Sequence, residues 1–109
     1  MNTNNPTTDN VELEMIEVSH QAEMLDALER LESNRDFQKV VLDGYIKDKA
    51  ADSVSLLAHP HIKQQGARPD VMEDLVACSN LQYYFYMIKQ LGAGAKADLM
   101  DSEGPETED

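Results

Sequence analysis

Large aromatic side chains are scarce in this sequence, which has no tryptophan, two phenylalanines and four tyrosines among 109 residues. A chain this short hides only about 60% of its unfolded surface when it folds alone, and few rings are present to enlarge its core. A core of this size contributes roughly 3–5 kcal/mol of net stability. We therefore expect the chain to complete its core by pairing with a second copy or with a protein partner.

The sequence also has only one cysteine, no long apolar run and no recognisable secretion signal. The single cysteine, Cys78, excludes an internal disulfide and is typical of a reducing compartment. No apolar run approaches the roughly 20 residues needed to cross a bilayer. The first twenty residues have neither the basic nor the apolar region of a secretion signal. These absences predict a soluble cytoplasmic protein, or one packed inside a particle that is assembled there.

Basic residues are rare at both ends of the chain. Residues 1–22 contain four acids and no lysine or arginine, and residues 93–109 contain six acids and one lysine. Residues 23–92 hold eleven acids and eight bases, so most of the formal net charge of −12 lies at the ends. This charge disfavours direct binding to nucleic acid or to an anionic membrane and favours basic protein partners. We expect a flexible or extended acidic segment over 1–18, a helical domain over 19–92 and a disordered acidic tail over 93–109 that can engage a basic surface.

Residues 11–18 alternate apolar and acidic side chains, which is the period of a strand. The alternation breaks at Ile16, and glutamate favours helices over strands. We predict a short extended segment or an edge strand that pairs across a dimer, with a helix as the alternative. A first helix is then predicted from about His20 to Glu32, with Ser19 as its N-cap.

A second helix is predicted from about Asn34 to Ala58. Ser33 is its predicted N-cap, because Asp36 follows three residues later as in a capping box. Gly44 interrupts the apolar face of this helix at a cost of about 1 kcal/mol relative to alanine. We attribute the glycine to the close approach of another helix.

Prolines separate the second helix from a third. The residue before Pro60 is disfavoured in the α region, and residues 59–68 are predicted to form a loop. Pro69 fits the first turn of the third helix, and Gly92 suits the position just after its end. The apolar residues of this helix recur every three or four positions, at Val71, Leu75, Cys78, Leu81, Phe85 and Ile88. The predicted fold is all-α, with the two long helices in an antiparallel hairpin and a shorter N-terminal helix.

No group of residues predicts catalysis, a metal or a cofactor. His59 and His61 flank a proline, but a metal site needs three or four ligands at recognisable spacing. Cys78 lies on the apolar face of the third helix, where a small buried side chain is expected rather than a reactive thiol. Gly92 and Gly94 follow a helix, whereas phosphate-binding glycines precede one. We expect a protein that is not an enzyme and holds no metal or cofactor.

The densest aromatic stretch is LQYYFYM, residues 81–87. On a helix these side chains point to all sides, so one core face cannot bury them all. Tyrosine combines an apolar ring with a polar tip and is enriched at protein interfaces. The alternative is that the tyrosines extend beside the first helix of the same chain. The residues predicted to form a protein interface are Phe37, Tyr45, Ile46, Tyr83, Tyr84, Tyr86 and Met87.

Residues 28–92 resemble a set of small proteins encoded by tailed bacteriophages. The resemblance rests on LERLESNRDFQKVVLDGYIKDKAADSVSLLAHP, followed by VMEDLVACSNLQYYFYMIKQLG. Those proteins are predicted to be helical, and some are encoded among head-assembly genes. The resemblance implies a role around capsid or portal construction, in the host cytoplasm or within the virion, and it brings no catalytic motif.

The sequence supports two hypotheses of function. The first is a non-enzymatic helical assembly or adaptor protein of a phage that self-associates or binds a protein partner. The alternative is an acidic inhibitor that mimics DNA and occupies the basic groove of a host nucleic-acid-binding or defence protein. Mimicry requires acids at phosphate-like spacing on rigid elements. The acids that could form such a row are Asp43, Asp48, Asp52, Asp70, Glu73 and Asp74.

Overall fold

The computed structural model describes residues 6–103, with side chains over residues 10–101. Every element in this range is helical, which confirms the all-α fold. The elements are α1 (Pro6–Glu32), α2 (Arg35–Phe37), a π-helix termed π1 (Gln38–Lys49), α3 (Ala50–Leu57), α4 (Pro60–Gln64) and α5 (Arg68–Glu103). Residues 1–5 of the predicted N-terminal segment and residues 104–109 of the predicted tail lie outside the described residues.

Helix α1 includes residues 11–18, so the extended segment predicted there is wrong, and Ser19 lies inside the helix rather than at its start. The helical conformation of residues 11–18 agrees with the spacing of five apolar residues, which lie four, three, four and three positions apart. These residues are Val11, Met15, Val18, Ala22 and Leu25. That spacing places them on one helical face and outweighs the local alternation. The N-terminal helix is therefore long, with 27 residues, and not the short element predicted from His20.

Asn34 begins the second helical segment. Its backbone is extended, and its side-chain Oδ1 accepts a hydrogen bond of 2.9 Å from the Phe37 amide. An asparagine that satisfies a free amide of the first turn is a favourable N-cap. The predicted cap, Ser33, is wrong by one residue, because it lies in the turn that precedes Asn34.

Residues 38–49 form an unusually long π-helix, in which amides bond carbonyls five residues earlier. The half-buried apolar side chains in and beside π1 include Phe37, Val41, Ile46 and Ala50, which lie four and five residues apart, together with Leu42 and Tyr45. At 3.6 residues per turn, the thirteen residues from Phe37 to Ala50 would make about 3.6 turns and place the two on opposite faces. Both are half-buried, as the π geometry allows.

Gly44 lies within π1, and the role predicted for it is wrong. A Cβ added at Gly44 would lie 3.0 Å from the carbonyl oxygen of Lys39, and no described atom of another helix would come within 4 Å. The glycine therefore relieves crowding inside its own π-helix. It does not mark the close approach of another helix.

The loop predicted over residues 59–68 contains the short helix α4. His59 caps this helix, because its Nδ1 accepts a hydrogen bond of 3.2 Å from the His61 amide. Gly66 follows the helix with a φ of 66°, the left-handed conformation that glycine adopts without strain. The connection is thus ordered by a cap at each end of α4.

Helix α5 continues through Gly92, so this glycine does not end the helix, and residues 93–103 of the predicted disordered tail are helical. Ala95 in this part is buried, with 2% of its surface exposed. A Cβ added at Gly92 would lie 2.9 Å from Leu25 Cδ2 and 3.1 Å from the Gln21 carbonyl oxygen. Gly92 therefore permits the close approach of α1 to this part of α5.

The chain divides into two compact units. The first, termed the hairpin unit, comprises residues 30–86. The second, termed the terminal unit, comprises residues 1–29 and 87–109, with side chains described for 10–29 and 87–101. Helices α1 and α5 each contribute residues to both units.

The predicted antiparallel hairpin is confirmed in the hairpin unit. Three contacts join its two arms: Phe37 to Phe85 (5.9 Å between ring centroids), the Tyr45 carbonyl to Cys78 Sγ (3.3 Å) and Lys49 to Asp74 (3.9 Å between charged groups). Residue numbers rise on one arm as they fall on the other, so the arms are antiparallel. Cys78, 2% exposed, lies within this seam, and Val71 in the first turns of α5 is also buried.

The terminal unit has a small core in which Ala22, Leu25 and Leu28 of α1 are buried. Lys96 of α5 donates a hydrogen bond to Asp26 and lies 3.9 Å from Glu29. The hydrogen bond to Asp26 raises the pKa of Lys96 above its usual value, and partial desolvation opposes this rise. The two carboxylates add a further attraction for the charged lysine.

Candidate interaction surface

Helix α5 carries a second apolar stripe in addition to the one that packs inside the hairpin unit. This outer stripe consists of Met72, Val76, Ser79, Tyr83 and Tyr86. Its members are separated by four, three, four and three positions, which is the spacing of a coiled-coil seam. At 3.6 residues per turn its centre lies roughly 110° around the helix from Val71 and Cys78. The stripe therefore faces away from the buried seam.

The large side chains of the outer stripe are exposed to solvent. Their exposed fractions are 47% for Met72, 50% for Val76, 61% for Tyr83 and 54% for Tyr86. Scattered single apolar residues are normal on a protein surface, but a contiguous patch marks an interaction site. Among the described residues of the hairpin unit, the other helices leave this patch open.

Two tyrosines of the outer stripe stack on each other. The ring centroids of Tyr83 and Tyr86 are 6.1 Å apart, with 29° between the ring planes. Beside them lies a shallow groove of about 290 Å³ lined by Ser79, Gln82 and the two rings. Stacked tyrosines next to a groove offer a rigid apolar surface with polar tips, which is the chemistry of protein-binding sites.

Charged residues are absent from the stretch of sequence that contains Val76, Ser79, Tyr83 and Tyr86 of the outer stripe. Residues 75–88 contain no aspartate, glutamate, lysine, arginine or histidine, although 28% of the chain is charged. Because desolvating a charged group is expensive, an uncharged stretch can be covered by a partner at low cost. The outer stripe is thus suited to burial.

Tyr84 and Met87, which were also predicted interface residues, lie elsewhere on the helix. Tyr84 is 53% exposed, but at 3.6 residues per turn it lies about 120° around the helix from the middle of the outer stripe. Its ring contacts Phe85 at 6.1 Å. Met87 is half-buried.

The remaining predicted interface residues, Phe37, Tyr45 and Ile46, are half-buried. The Phe37 ring packs edge-on against Phe85, and the Tyr45 carbonyl accepts the Cys78 thiol. These contacts place Phe37 and Tyr45 along the seam inside the hairpin unit. They hold α5 in position, and the outer stripe lies on another face of that helix.

Met72, Val76 and Ser79 of the outer stripe were not among the predicted interface residues. The signal that could have found them is their spacing, because a second four-three repeat runs through positions 72 to 86 beside the first. A helix with two such repeats cannot bury both against one neighbour.

The six acids proposed for DNA mimicry are exposed, and they belong to the hairpin unit. Asp74 lies 3.9 Å from the Lys49 ammonium group. Residues 30–86 contain eight acids and seven lysines or arginines, so the unit that carries these acids has a net charge of only −1. The excess of acid lies in the terminal unit, where residues 10–29 hold six acids and no base.

A second exposed apolar region lies near the start of α1. Its large residues are Val11, Leu13, Met15 and Ile16, which are 44–66% exposed. A groove of about 430 Å³ is lined there by Met15, Ile16, Ser19, His20 and Glu23. Glutamates alternate with the apolar side chains, so this surface differs in charge from the outer stripe.

His59 and Cys78, which the sequence analysis considered as possible metal-binding or reactive residues, have structural roles. His59 caps α4, and the buried Cys78 packs in the hairpin seam. Over the described residues, no three histidine, cysteine, aspartate or glutamate side chains come together as metal ligands would. Within the same range, none of the helices combines the length and apolarity needed to traverse a bilayer.

No family model, curated protein or solved structure matches this chain.

Proposed function

We propose that this protein is a non-enzymatic helical interaction protein that self-associates or binds a protein partner through the outer stripe of α5. One observation carries the proposal: four large side chains, two of them stacked tyrosines, form an exposed stripe, and three of the four lie in the longest uncharged stretch of an acidic chain. Exposed, uncharged and aromatic surface is what the centres of protein interfaces require.

The groove beside the outer stripe favours a binding role over catalysis. It is lined by a serine, a glutamine and the two tyrosine rings. Its lining includes no histidine, carboxylate, lysine or thiol, which are the groups that general acid–base catalysis uses most. The buried thiol of Cys78 is engaged with the Tyr45 carbonyl.

Phage particle assembly is the setting that we propose for this interaction. The support is the resemblance of residues 28–92 to small phage proteins, some of which are encoded among head-assembly genes. Assembly proteins act through repeated contacts between copies and with structural partners. An exposed helical seam on a small domain is suited to such contacts. The acidic first half of α1 can engage a basic surface in the same assembly.

The alternative, mimicry of DNA, receives less support from the charge distribution. A mimic needs a dense acidic row, whereas the hairpin unit combines eight acids with seven bases. If mimicry were correct, neutralising the six proposed acids would abolish binding to a host target, and binding would weaken steeply with salt. Under the interaction proposal, both changes would leave binding largely intact.

Multi-angle light scattering coupled to gel filtration tests the proposal. We expect wild-type chain to form a concentration-dependent oligomer, and the double variant Tyr83→Ala/Tyr86→Ala to raise its dissociation constant at least about tenfold. Tyr84→Ala is the matched control, because Tyr84 is similarly exposed but lies on another face. Circular dichroism checks that each variant remains helical.

A pull-down from phage-infected cells, followed by mass spectrometry, extends the test to other partners. Recovery of structural phage proteins that is lost in the double variant supports the proposal. A strictly monomeric wild type that also recovers no protein through these tyrosines contradicts it.

A further inference from the structure

We propose that the partner bound by the outer stripe is a second copy of this chain, and that the two α5 helices pair antiparallel. This inference rests on the proposed function and specifies its partner. It follows from the spacing of the stripe, from the sizes of its side chains and from the charges that flank it.

The outer stripe is self-complementary when it is reversed. In an antiparallel pair, positions of the first helix face positions of the second whose numbers fall as the first rise. With the two-fold axis at the level of Leu81, Tyr83 faces Ser79 of the second copy, and Val76 faces Tyr86 of the second copy. Each large ring thus meets a smaller side chain, and both pairings occur twice by symmetry.

The groove beside the stacked tyrosines lies where this pairing needs space. The groove has a volume of about 290 Å³ and is lined by Ser79, Gln82 and the two tyrosines. In the antiparallel register, the Tyr83 ring of the second copy enters at this position. A parallel pair would instead set Tyr83 against Tyr83 of the second copy, and the groove would remain empty.

Charges around α5 favour the same direction. The first turns of α5 carry Asp70, Glu73 and Asp74, all exposed, whereas residues 75–88 are uncharged. Parallel pairing would bring the two acidic ends together. Antiparallel pairing separates Glu73 from Glu73 of the second copy by 16 residues along the axis, which is about 24 Å and more than twice the screening length of roughly 10 Å at 0.1 M salt.

The area available predicts a weak and reversible dimer. A tyrosine presents about 150–250 Å² when fully exposed, so the four large side chains of the stripe offer on the order of 400 Å² per copy. Together with the flanking polar residues, a pair would bury about 1,000 Å², the lower limit for specific interfaces. Dimerisation should therefore depend on concentration in the micromolar range, as weak complexes of this size do.

Distances between spin labels test the geometry directly. One nitroxide is attached at Asn80→Cys or at Glu73→Cys in a Cys78→Ala background, so each chain has one label and every measured distance joins two copies. If Cys78→Ala does not fold, Cys78→Ser, which retains a hydrogen-bond donor for the Tyr45 carbonyl, replaces it. Antiparallel pairing predicts a separation below about 20 Å for labels at Asn80 and of about 25–30 Å for labels at Glu73.

Each outcome separates this inference from the proposed function. Short distances at both positions would show a parallel pair and overturn the antiparallel geometry while leaving self-association intact. Long distances at both positions, with light scattering still showing a dimer, would place the contact on another face and overturn the second copy as the occupant of the outer stripe. A labelled protein that is monomeric at 100 µM would contradict this inference, and pull-down of a partner through Tyr83 and Tyr86 would then still uphold the proposed function.

Discussion

Gly92 of α5 lies directly against Leu25 of α1, so close that a methyl group on the glycine would overlap the leucine side chain. The absence of a Cβ at this position allows α1 and α5 to meet within the terminal unit. Leu25 and Ala95, which lie in the same unit, are buried. A small core of this kind depends on close backbone approach, because few large side chains are present to fill a wider gap.

Replacement of Gly92 by alanine should destabilise the protein. The added Cβ would lie 2.9 Å from Leu25 Cδ2 and 3.1 Å from the Gln21 carbonyl oxygen. Forcing an extra methyl group into a packed site costs about 1–3 kcal/mol. Urea unfolding followed by circular dichroism measures the change.

Gly94→Ala is the matched control for this prediction. Gly94 lies in the same helix, and no described atom would lie within 4 Å of its added Cβ. Alanine should therefore stabilise the helix there by about 0.5–1 kcal/mol. The packing account of Gly92 fails if the two substitutions shift the unfolding midpoint in the same direction and by the same amount.

Replacement of Gly44 by alanine should change stability differently from the same replacement in an α-helix. In an ordinary helix interior, glycine to alanine gains about 1 kcal/mol. At Gly44 the added Cβ would lie 3.0 Å from the Lys39 carbonyl oxygen, so the substitution should gain little or destabilise. A gain equal to that of Gly94→Ala would instead indicate that residues 38–49 are α-helical in solution.

Cys78 should react slowly with thiol reagents while the protein is folded. It is 2% exposed, and its Sγ lies 3.3 Å from the Tyr45 carbonyl oxygen that accepts its hydrogen bond. Modification therefore requires local opening of the hairpin seam. We expect reaction with Ellman's reagent to be at least about tenfold slower in buffer than in 8 M urea, because only the locally opened fraction of the folded protein exposes the thiol.

A cysteine placed next to the seam provides the comparison. Ala77 is exposed on α5, so Ala77→Cys in a Cys78→Ala background should react rapidly in the folded protein. Equal rates for the native thiol and for this variant would show that the seam does not protect Cys78.

The pKa of Lys96 should fall when its hydrogen-bond partner is removed. The bond to Asp26 raises the pKa of Lys96 above its usual value, and Asp26→Asn removes the carboxylate charge and weakens that bond. A raised pKa in the folded state adds stability that is complete below the unfolded value of about 10.4 and is lost as the pH rises through the folded pKa. NMR titration of the Lys96 side chain in both proteins measures the difference.

Unfolding at several pH values gives an independent readout for this pair. The difference in unfolding free energy between wild type and Asp26→Asn should be constant from about pH 6 to about pH 9 and should narrow above about pH 10.4. An identical Lys96 titration in the two proteins would refute the assignment of the bond.

The sequence predicted the helices and the hairpin well because their apolar residues recur at regular spacing. Val71, Cys78 and Phe85 repeat every seven residues, and they contact or lie along the seam as predicted. The start of α1 was mistaken for an extended segment because a short alternation at residues 11–15 also satisfies a strand period. Only the longer spacing through Val18 and Leu25 distinguishes the two.

Other features depend on contacts that a single sequence does not display. Glycine is common just after the end of a helix, which is why Gly92 was predicted there. Only the structure shows that Gly92 packs against Leu25. Gly44 was predicted to mark the close approach of another helix, because the sequence does not show that the Lys39 carbonyl lies beside it. The outer stripe was partly predicted through its tyrosines, but Met72 and Val76 were not, because a helical period alone does not show how many faces of a helix are covered.

The outer stripe of α5 is the proposed protein-binding surface, with a second copy as the inferred occupant. Sedimentation equilibrium of Val76→Glu and of Val54→Glu tests this role of the stripe, because the two valines are similarly exposed, at 50% and 58%, and only Val76 belongs to the stripe. Burying a glutamate in the pair should raise the dissociation constant at least about tenfold for Val76→Glu, whereas Val54→Glu should associate like wild type. Equal association of all three proteins would contradict this role of the stripe.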